Sequence, residues 1–146
     1  MSCFVCDKHR NLDLELKFEG FDDFVVSHSP DRTEDDSNFI GALIVEPRVH
    51  VKNWAELNDE QSALLGILLQ KVNRLLLSSP KVEHVYTWVF GDAVEHFHVW
   101  VIPRYIGTPK EYWGVKSAEA PTAPLGGKYE MRGFISYLKS LCITRA

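Results

Sequence analysis

The alternation of apolar and polar positions divides the chain into helical and extended stretches. Leu14 to Phe18 alternates apolar with charged residues and Phe24 to Ser27 is a short apolar run, and both predict strands. Phe39 to Val45 is a longer apolar run ending at Glu46-Pro47, as expected of a central strand. Between them, Asp31 to Asn38 contains no apolar residue and predicts an exposed loop. Asn58 followed three residues later by Gln61 has the form of a capping box, and it opens a helix from Asp59 to about Ser78, closed by Ser79-Pro80. In that helix Ser62, Gly66, Gln70, Asn73 and Arg74 leave Leu64, Leu65, Leu68, Val72, Leu75 and Leu76 on one apolar arc. Its width suits contact with two surfaces, a sheet and a partner subunit.

Val82 to Phe90 and Glu95 to Ile102 then predict two strands joined through a turn at Gly91-Asp92. The stretch from Gly107 to Gly127 is rich in Pro, Gly and Ala and carries Tyr112 and Trp113, the pattern of a long irregular excursion of the kind that often serves function. Met131, Phe134, Ile135, Leu138 and Leu141 follow helical spacing and predict a final helix, although Gly133 weakens it. Strands, a helix and strands in hairpins make an α+β domain on an antiparallel sheet, with residues 1–146 as a single domain.

Composition narrows the function. Its 146 residues, 45% apolar and 25% charged, suit one globular domain with its own core. The formal net charge of −4 argues against nucleic acid as a partner but leaves room for a nucleotide in a local pocket. No apolar run approaches the ~20 residues that cross a bilayer, so no membrane association is expected. The opening Met1-Ser2-Cys3-Phe4-Val5-Cys6-Asp7 lacks the basic and apolar regions of a signal peptide, so a cytoplasmic location is expected. Of three cysteines, two form Cys3-Phe4-Val5-Cys6, which in that compartment suggests metal or redox chemistry. Redox is disfavoured because no βαβ context surrounds the pair.

The chemistry concentrates in Val94-Glu95-His96-Phe97-His98-Val99-Trp100-Val101-Ile102-Pro103-Arg104. On a strand His96, His98 and Trp100 share one face, spaced ~6.5 Å apart, and Phe97, Val99 and Val101 share the other. Alternation alone fits a surface strand with two solvated histidines equally well, so the neighbouring residues decide.

That segment resembles the signature of the histidine triad superfamily. Gly41-Ala42-Leu43-Ile44-Val45-Glu46-Pro47-Arg48-Val49-His50 is similar to the strand that precedes the helix in that family, and Cys3-Phe4-Val5-Cys6 to the Cys-x-x-Cys of its zinc-containing members. The resemblance implies an antiparallel sheet of about five strands with a long central helix and a C-terminal helix. It also implies a homodimer and a nucleotide or nucleotide ester as substrate. His98 would attack the α-phosphorus to form a nucleotidyl-histidine intermediate, since neutral imidazole is nucleophilic near neutral pH. Cys3, Cys6, His50 and His96 would hold a structural zinc, with His9 a competing ligand in a compact Cys-x-x-Cys-x-x-His.

The departures from the family pattern are specific. Trp100 occupies the third triad position; indole offers one N–H donor and exchanges no proton near neutral pH, so it binds substrate or merely packs. Trp88 to Ala93 has no amide side chain for a phosphate, and Asp92 would repel one. Ser27 corresponds to the ribose-binding acid or amide, and His28 beside it is expected to be an exposed histidine. Arg104 is expected to pair with a carboxylate or snorkel. Cys142 is expected to be an inert core thiol. The reading that results is a nucleotide phosphohydrolase or nucleotidyl transferase acting on a dinucleoside polyphosphate or nucleoside phosphoramidate. Its alternatives are a non-catalytic nucleotide-binding protein or a zinc-stabilised interaction module.

Overall fold

The computed structural model describes residues 2–11, 13, 17–20 and 23–143. Its elements in chain order are α1 (Phe4–Arg10), β1 (Lys17–Gly20), β2 (Phe24–His28), β3 (Asn38–Phe39), β4 (Leu43–Pro47), α2 (Asp59–Leu77), β5 (Val82–Trp88), β6 (Val99–Tyr105), β7 (Leu125–Gly126) and α3 (Lys128–Ile143). Five strands form one antiparallel sheet in the order β1-β2-β4-β6-β5, and β3 pairs with β7 in a separate ribbon. The chain is thus of the expected α+β class. The residues 14–16 of the first expected strand lie outside the described residues, and β1 covers its end.

One face of the sheet builds the core. Phe24, Val26, Leu43, Val45, Val99 and Val101 alternate along their strands and meet Leu65, Leu68, Val72, Leu75 and Leu76 of α2 with Ile135 and Leu138 of α3. Helix α2 starts where the capping box places it. Asn58 accepts from the Gln61 amide at 2.8 Å, and the Gln61 side chain accepts from the Asn58 amide at 3.0 Å. Helix α3 buries Met131, Ile135 and Leu138, as its spacing predicts.

The expected continuous strand from Phe39 to Val45 is divided by Gly41, whose φ of +104° lies in the left-handed region. A Cβ here would collide with the Tyr105 hydroxyl and stand 2.9 Å from Pro103 Cγ, so only glycine lets the chain turn from the β3 ribbon into the sheet. The connection between β5 and β6 is likewise no tight turn: residues 89–98 form a loop, and His96 and His98 sit in its final stretch just before β6. The excursion from 107 to 127 is less irregular than expected, with short 3₁₀ turns at Lys110–Tyr112 and Gly114–Glu119 before β7.

Two residues lie elsewhere than expected. His28 is not exposed but 2% accessible, because β2 points it at α3 with Phe134 edge-on. Its Nδ1–H donates to the Ser29 carbonyl at 3.0 Å and its Nε2 accepts from the Gly41 amide at 2.9 Å. Cys142 is exposed rather than in the core: it is in phase with Ile135 and Leu138 but lies in the last turn of α3.

The setting of His28 makes stability depend on pH. Burial pushes its pKa below the ordinary 6.5 of the unfolded chain. Between those two values the native state binds fewer protons than the unfolded chain, so the His28 contribution is complete above about 6.5 and shrinks as pH falls toward the folded value. His28→Gln should cost about 1–3 kcal/mol at neutral pH through the disturbed Gly41 amide. Denaturant titrations at several pH values should show the gap between wild type and variant narrowing as pH drops below 6.5.

Candidate metal centre and histidine site

Helix α1 and the sheet face opposite the core enclose the candidate site. His96 is fully buried, and its Nε2 lies 2.7 Å from the Pro47 carbonyl. A carbonyl can only accept, so the proton is on Nε2 and Nδ1 carries the lone pair. That lone pair faces two sulfurs: Cys3 Sγ and Cys6 Sγ are each 3.5 Å from His96 Nδ1, and Cys6 Sγ is 3.7 Å from His50 Nδ1. One donor atom from each of Cys3, Cys6, His50 and His96 lies within 4.8 Å of the others. Ligands ~2.0–2.3 Å from a tetrahedral ion stand roughly 3.3–3.8 Å from one another, close to the three separations above. Four soft donors around one point, with the far side of His96 tied to a carbonyl, can hold a metal ion.

The electrostatics agree. Burial lowers the His96 pKa and keeps the ring neutral, the form that binds a cation. Desolvation and then the adjacent Cys3 thiol push the Cys6 thiol up, a cost that a cation between the two sulfurs removes. His9 does not join them. Its Nε2 is 3.7 Å from Glu46 Oε1, where Lys8 Nζ also lies at 2.5 Å. Glu46 is 1% exposed. Burial alone would raise its pKa, but His9 and Lys8 outweigh burial and hold the carboxyl below its usual range.

His98 is positioned by the same backbone. Its Nδ1–H donates to the His96 carbonyl at 2.8 Å, which leaves the Nε2 lone pair free for chemistry. Register places Ser27 opposite Ile44, Ile44 opposite Trp100 and Trp100 opposite Trp88, a row across the sheet beside His98. The His98 and Trp100 rings are 6.2 Å apart, near the spacing that alternation predicts. Ser27 is 2% exposed, and its Oγ has no hydrogen-bond partner among the described residues.

These residues line a trough over the sheet. At one end a polar cavity of about 280 Å³ lies among Phe4, Lys8, Asn11, Ser27, Asp31 and Lys128. In the middle, Lys8, Arg32, Glu46, His98 and Trp100 surround a neck of about 10 Å³. At the other end an apolar cleft of about 360 Å³ lies among Phe39, Trp88, Phe90, Trp100, Ile102 and Val115. A larger depression of about 520 Å³ near Ile106 and Tyr137 contains none of the histidines. Arg104 stays out of the trough's chemistry: it ion-pairs with Glu83 at 3.4 Å, donates to the Tyr86 hydroxyl at 2.8 Å and stacks on Trp113 at 3.7 Å.

Sequence reasoning missed Lys8, Glu46 and Arg32. Glu46 inside an otherwise apolar strand was the available signal, because a buried carboxylate requires a partner. Arg32, whose guanidinium stands 6.0 Å from the centre of the Trp100 ring, lies in the exposed loop and carried no local signal.

No family model matches the chain, and no curated protein matches it by sequence. Several solved structures that match it are described as histidine triad proteins, and the fold is therefore the histidine triad fold. A hypothetical histidine triad nucleotide-binding protein of Sulfolobus tokodaii is 17% identical with a TM-score of 0.71, over 97% of this chain and 93% of that one. A zinc-bound histidine triad family protein of Mycobacterium smegmatis is 18% identical with a TM-score of 0.63, over 96% and 97%. The Plasmodium falciparum diadenosine triphosphate hydrolase, solved in complex with cyclomarin A, is 14% identical with a TM-score of 0.62, over 91% and 80%.

If the four donors bind metal, the purified chain should carry about one divalent ion per molecule, and strong chelation should lower its melting temperature. Cys6→Ser should reduce both metal content and melting temperature, whereas His9→Ala should leave the metal content unchanged. Elemental analysis beside thermal melts checks both.

Proposed function

We propose that this chain is a single-domain member of the histidine triad superfamily, a nucleotide phosphohydrolase or nucleotidyl transferase acting at the α-phosphate through a nucleotidyl-His98 intermediate. The observation that carries this reading is the bond from His98 Nδ1–H to the His96 carbonyl at 2.8 Å, which fixes the tautomer with Nε2 as the free nucleophile. Its position between two cavities supports an ester that spans the neck. The unpartnered Ser27 hydroxyl in the polar cavity supports binding of a sugar hydroxyl. The hydrolase among the structural neighbours supports the same class of reaction.

Zinc is the ion this donor set suits best, because two thiolates and two imidazoles in a closed tetrahedron are a structural zinc composition. Bound there, it would tie the N-terminus to the residue two positions before the nucleophile. We place the protein in the cytoplasm as a homodimer. Exposed Ile67 and Leu77 on α2, 52% and 50% accessible, and β5 at the sheet edge support pairing through a two-fold axis. No helix among the described residues is long and apolar enough to cross a membrane.

Trp100 favours a second reading, nucleotide binding without turnover, because indole cannot protonate a leaving group. Kinetics separate the two. His98→Ala should abolish cleavage of diadenosine polyphosphate or adenylyl phosphoramidate while nucleotide affinity remains measurable. Trp100→His should raise turnover, by up to ~10²–10⁴-fold where general acid catalysis is what the wild type lacks. Nucleotide binding with no cleavage by either wild type or Trp100→His would favour the second reading. Light scattering at micromolar concentration should give a dimer mass, and Ile67→Glu a monomer.

A further inference from the structure

The apolar cleft beyond His98 is larger than the polar cavity, and the reaction as proposed leaves open which leaving group occupies it. Its walls are mostly aromatic and aliphatic side chains, beside Ser29 and Asn38, with Trp88 and Trp100 paired directly across β5 and β6. Tyr86 stacks on Trp88 with rings 5.7 Å apart and 20° from parallel, and Phe90 continues the row at 5.8 Å. Among the described residues that line it Arg32 alone is charged, and it stands at the boundary with the neck. Such a cleft offers little to a polyphosphate, whose oxygens need donors, but a flat apolar ring can stack in it and exclude water.

Resting on the reading of His98 as nucleophile, we propose that the cleft is the leaving-group site for an aryl ring, and that the substrate is an aryl ester of a nucleoside monophosphate. The nucleoside lies in the polar cavity by Ser27, the phosphate at the neck between Lys8 and Arg32, and the aryl ring against Trp88 and Trp100. Entry requires Lys8 to turn from Glu46 toward the phosphate, because the neck of about 10 Å³ is too small as it stands.

The chemistry of position 100 admits the same class and excludes alkyl esters. His98 Nε2 attacks phosphorus, the P–Nε2 bond forms, and the P–O bond to the ring breaks with its electron pair on the aryl oxygen. Water then attacks phosphorus, the P–Nε2 bond breaks, and the water proton passes to solvent. The products are the nucleoside monophosphate and the aryl alcohol. An aryl oxide leaves without a proton, since phenols ionise near ~10 while aliphatic alcohols and water need roughly 16. A site whose third residue is Trp100 therefore tolerates aryl oxides and fails with alkoxides. The developing charge faces Arg32.

The test uses the full metal-loaded chain with the nitrophenyl ester of AMP, a series of substituted phenyl esters of AMP, and diadenosine triphosphate. The nitrophenyl ester should be cleaved with a kcat/KM well above that of the dinucleotide. Trp88→Ala should lower kcat/KM for the aryl ester about 10- to 100-fold, mainly through KM, and Trp88→Phe should restore most of it. The wild-type rate should fall steeply as the leaving phenol becomes less acidic, and Trp100→His should flatten that slope. Cleavage of the dinucleotide at least as fast as the aryl ester, with phenyl-AMP binding indifferent to Trp88→Ala, would overturn the cleft assignment and leave His98 as nucleophile. Tight, Trp88-dependent binding of phenyl-AMP with no cleavage of any substrate would overturn the nucleophile and leave the cleft assigned.

Discussion

His96 is the residue on which the arrangement turns. Its Nδ1 faces the sulfurs of Cys3 and Cys6, its Nε2–H is bonded to Pro47 at the end of the central strand, and its carbonyl receives Nδ1–H of His98. One residue thus joins the N-terminal helix, the middle of the sheet and the free imidazole. It lies outside regular pairing, so these bonds and Phe97 behind it, whose amide donates to the Val51 carbonyl at 2.7 Å, hold this stretch in place. Loss of any one of them would loosen the direction of the His98 ring.

The sheet gives the site its polarity. One face is spent on a core shared with α2 and α3, and its apolar residues read in strict alternation. The other face carries a carboxylate, a hydroxyl, an imidazole and two indoles in neighbouring rows, too polar for a core and too apolar for open solvent. Helix α1 resolves that conflict by covering it. Val5 is 3% exposed, and Lys8 neutralises Glu46, an acid that would otherwise be buried alone. The same ion pair closes the neck, so the element that stabilises the face also restricts access to His98.

The division of the trough follows from which loops reach it. The residues from 107 to 127, irregular in composition, bring Val115 to the apolar end, and Trp113 clamps Arg104 against Tyr86 at their base. The loop from 31 to 38 is exposed but not loose. Asn38 is buried within it, accepting from the Arg32 amide at 3.0 Å and donating to Asp31, Thr33 and Gly126. That network sets Arg32 over Trp100.

Much of this was determined by the sequence alone, because it depends on near neighbours in the chain. Period-two alternation put His96, His98 and Trp100 on one face, the capping box set the start of α2, and spacing named the helix faces that pack. The four metal-site residues followed from resemblance to a family rather than from spacing, and they do converge. What only the tertiary structure decided depends on contacts between distant segments. Gly41 breaks an apparently continuous strand because Tyr105, far along the chain, occupies the space of its side chain. His28 is buried because α3 lies over it, and Cys142 is exposed because it lies in the last turn of α3, although in phase with Ile135 and Leu138. Lys8 meets Glu46, and Trp88 meets Trp100 to wall a cleft, through helix packing and strand register. A local pattern states which residues share a face, but what covers that face is set by the pieces of chain that compete to bury it.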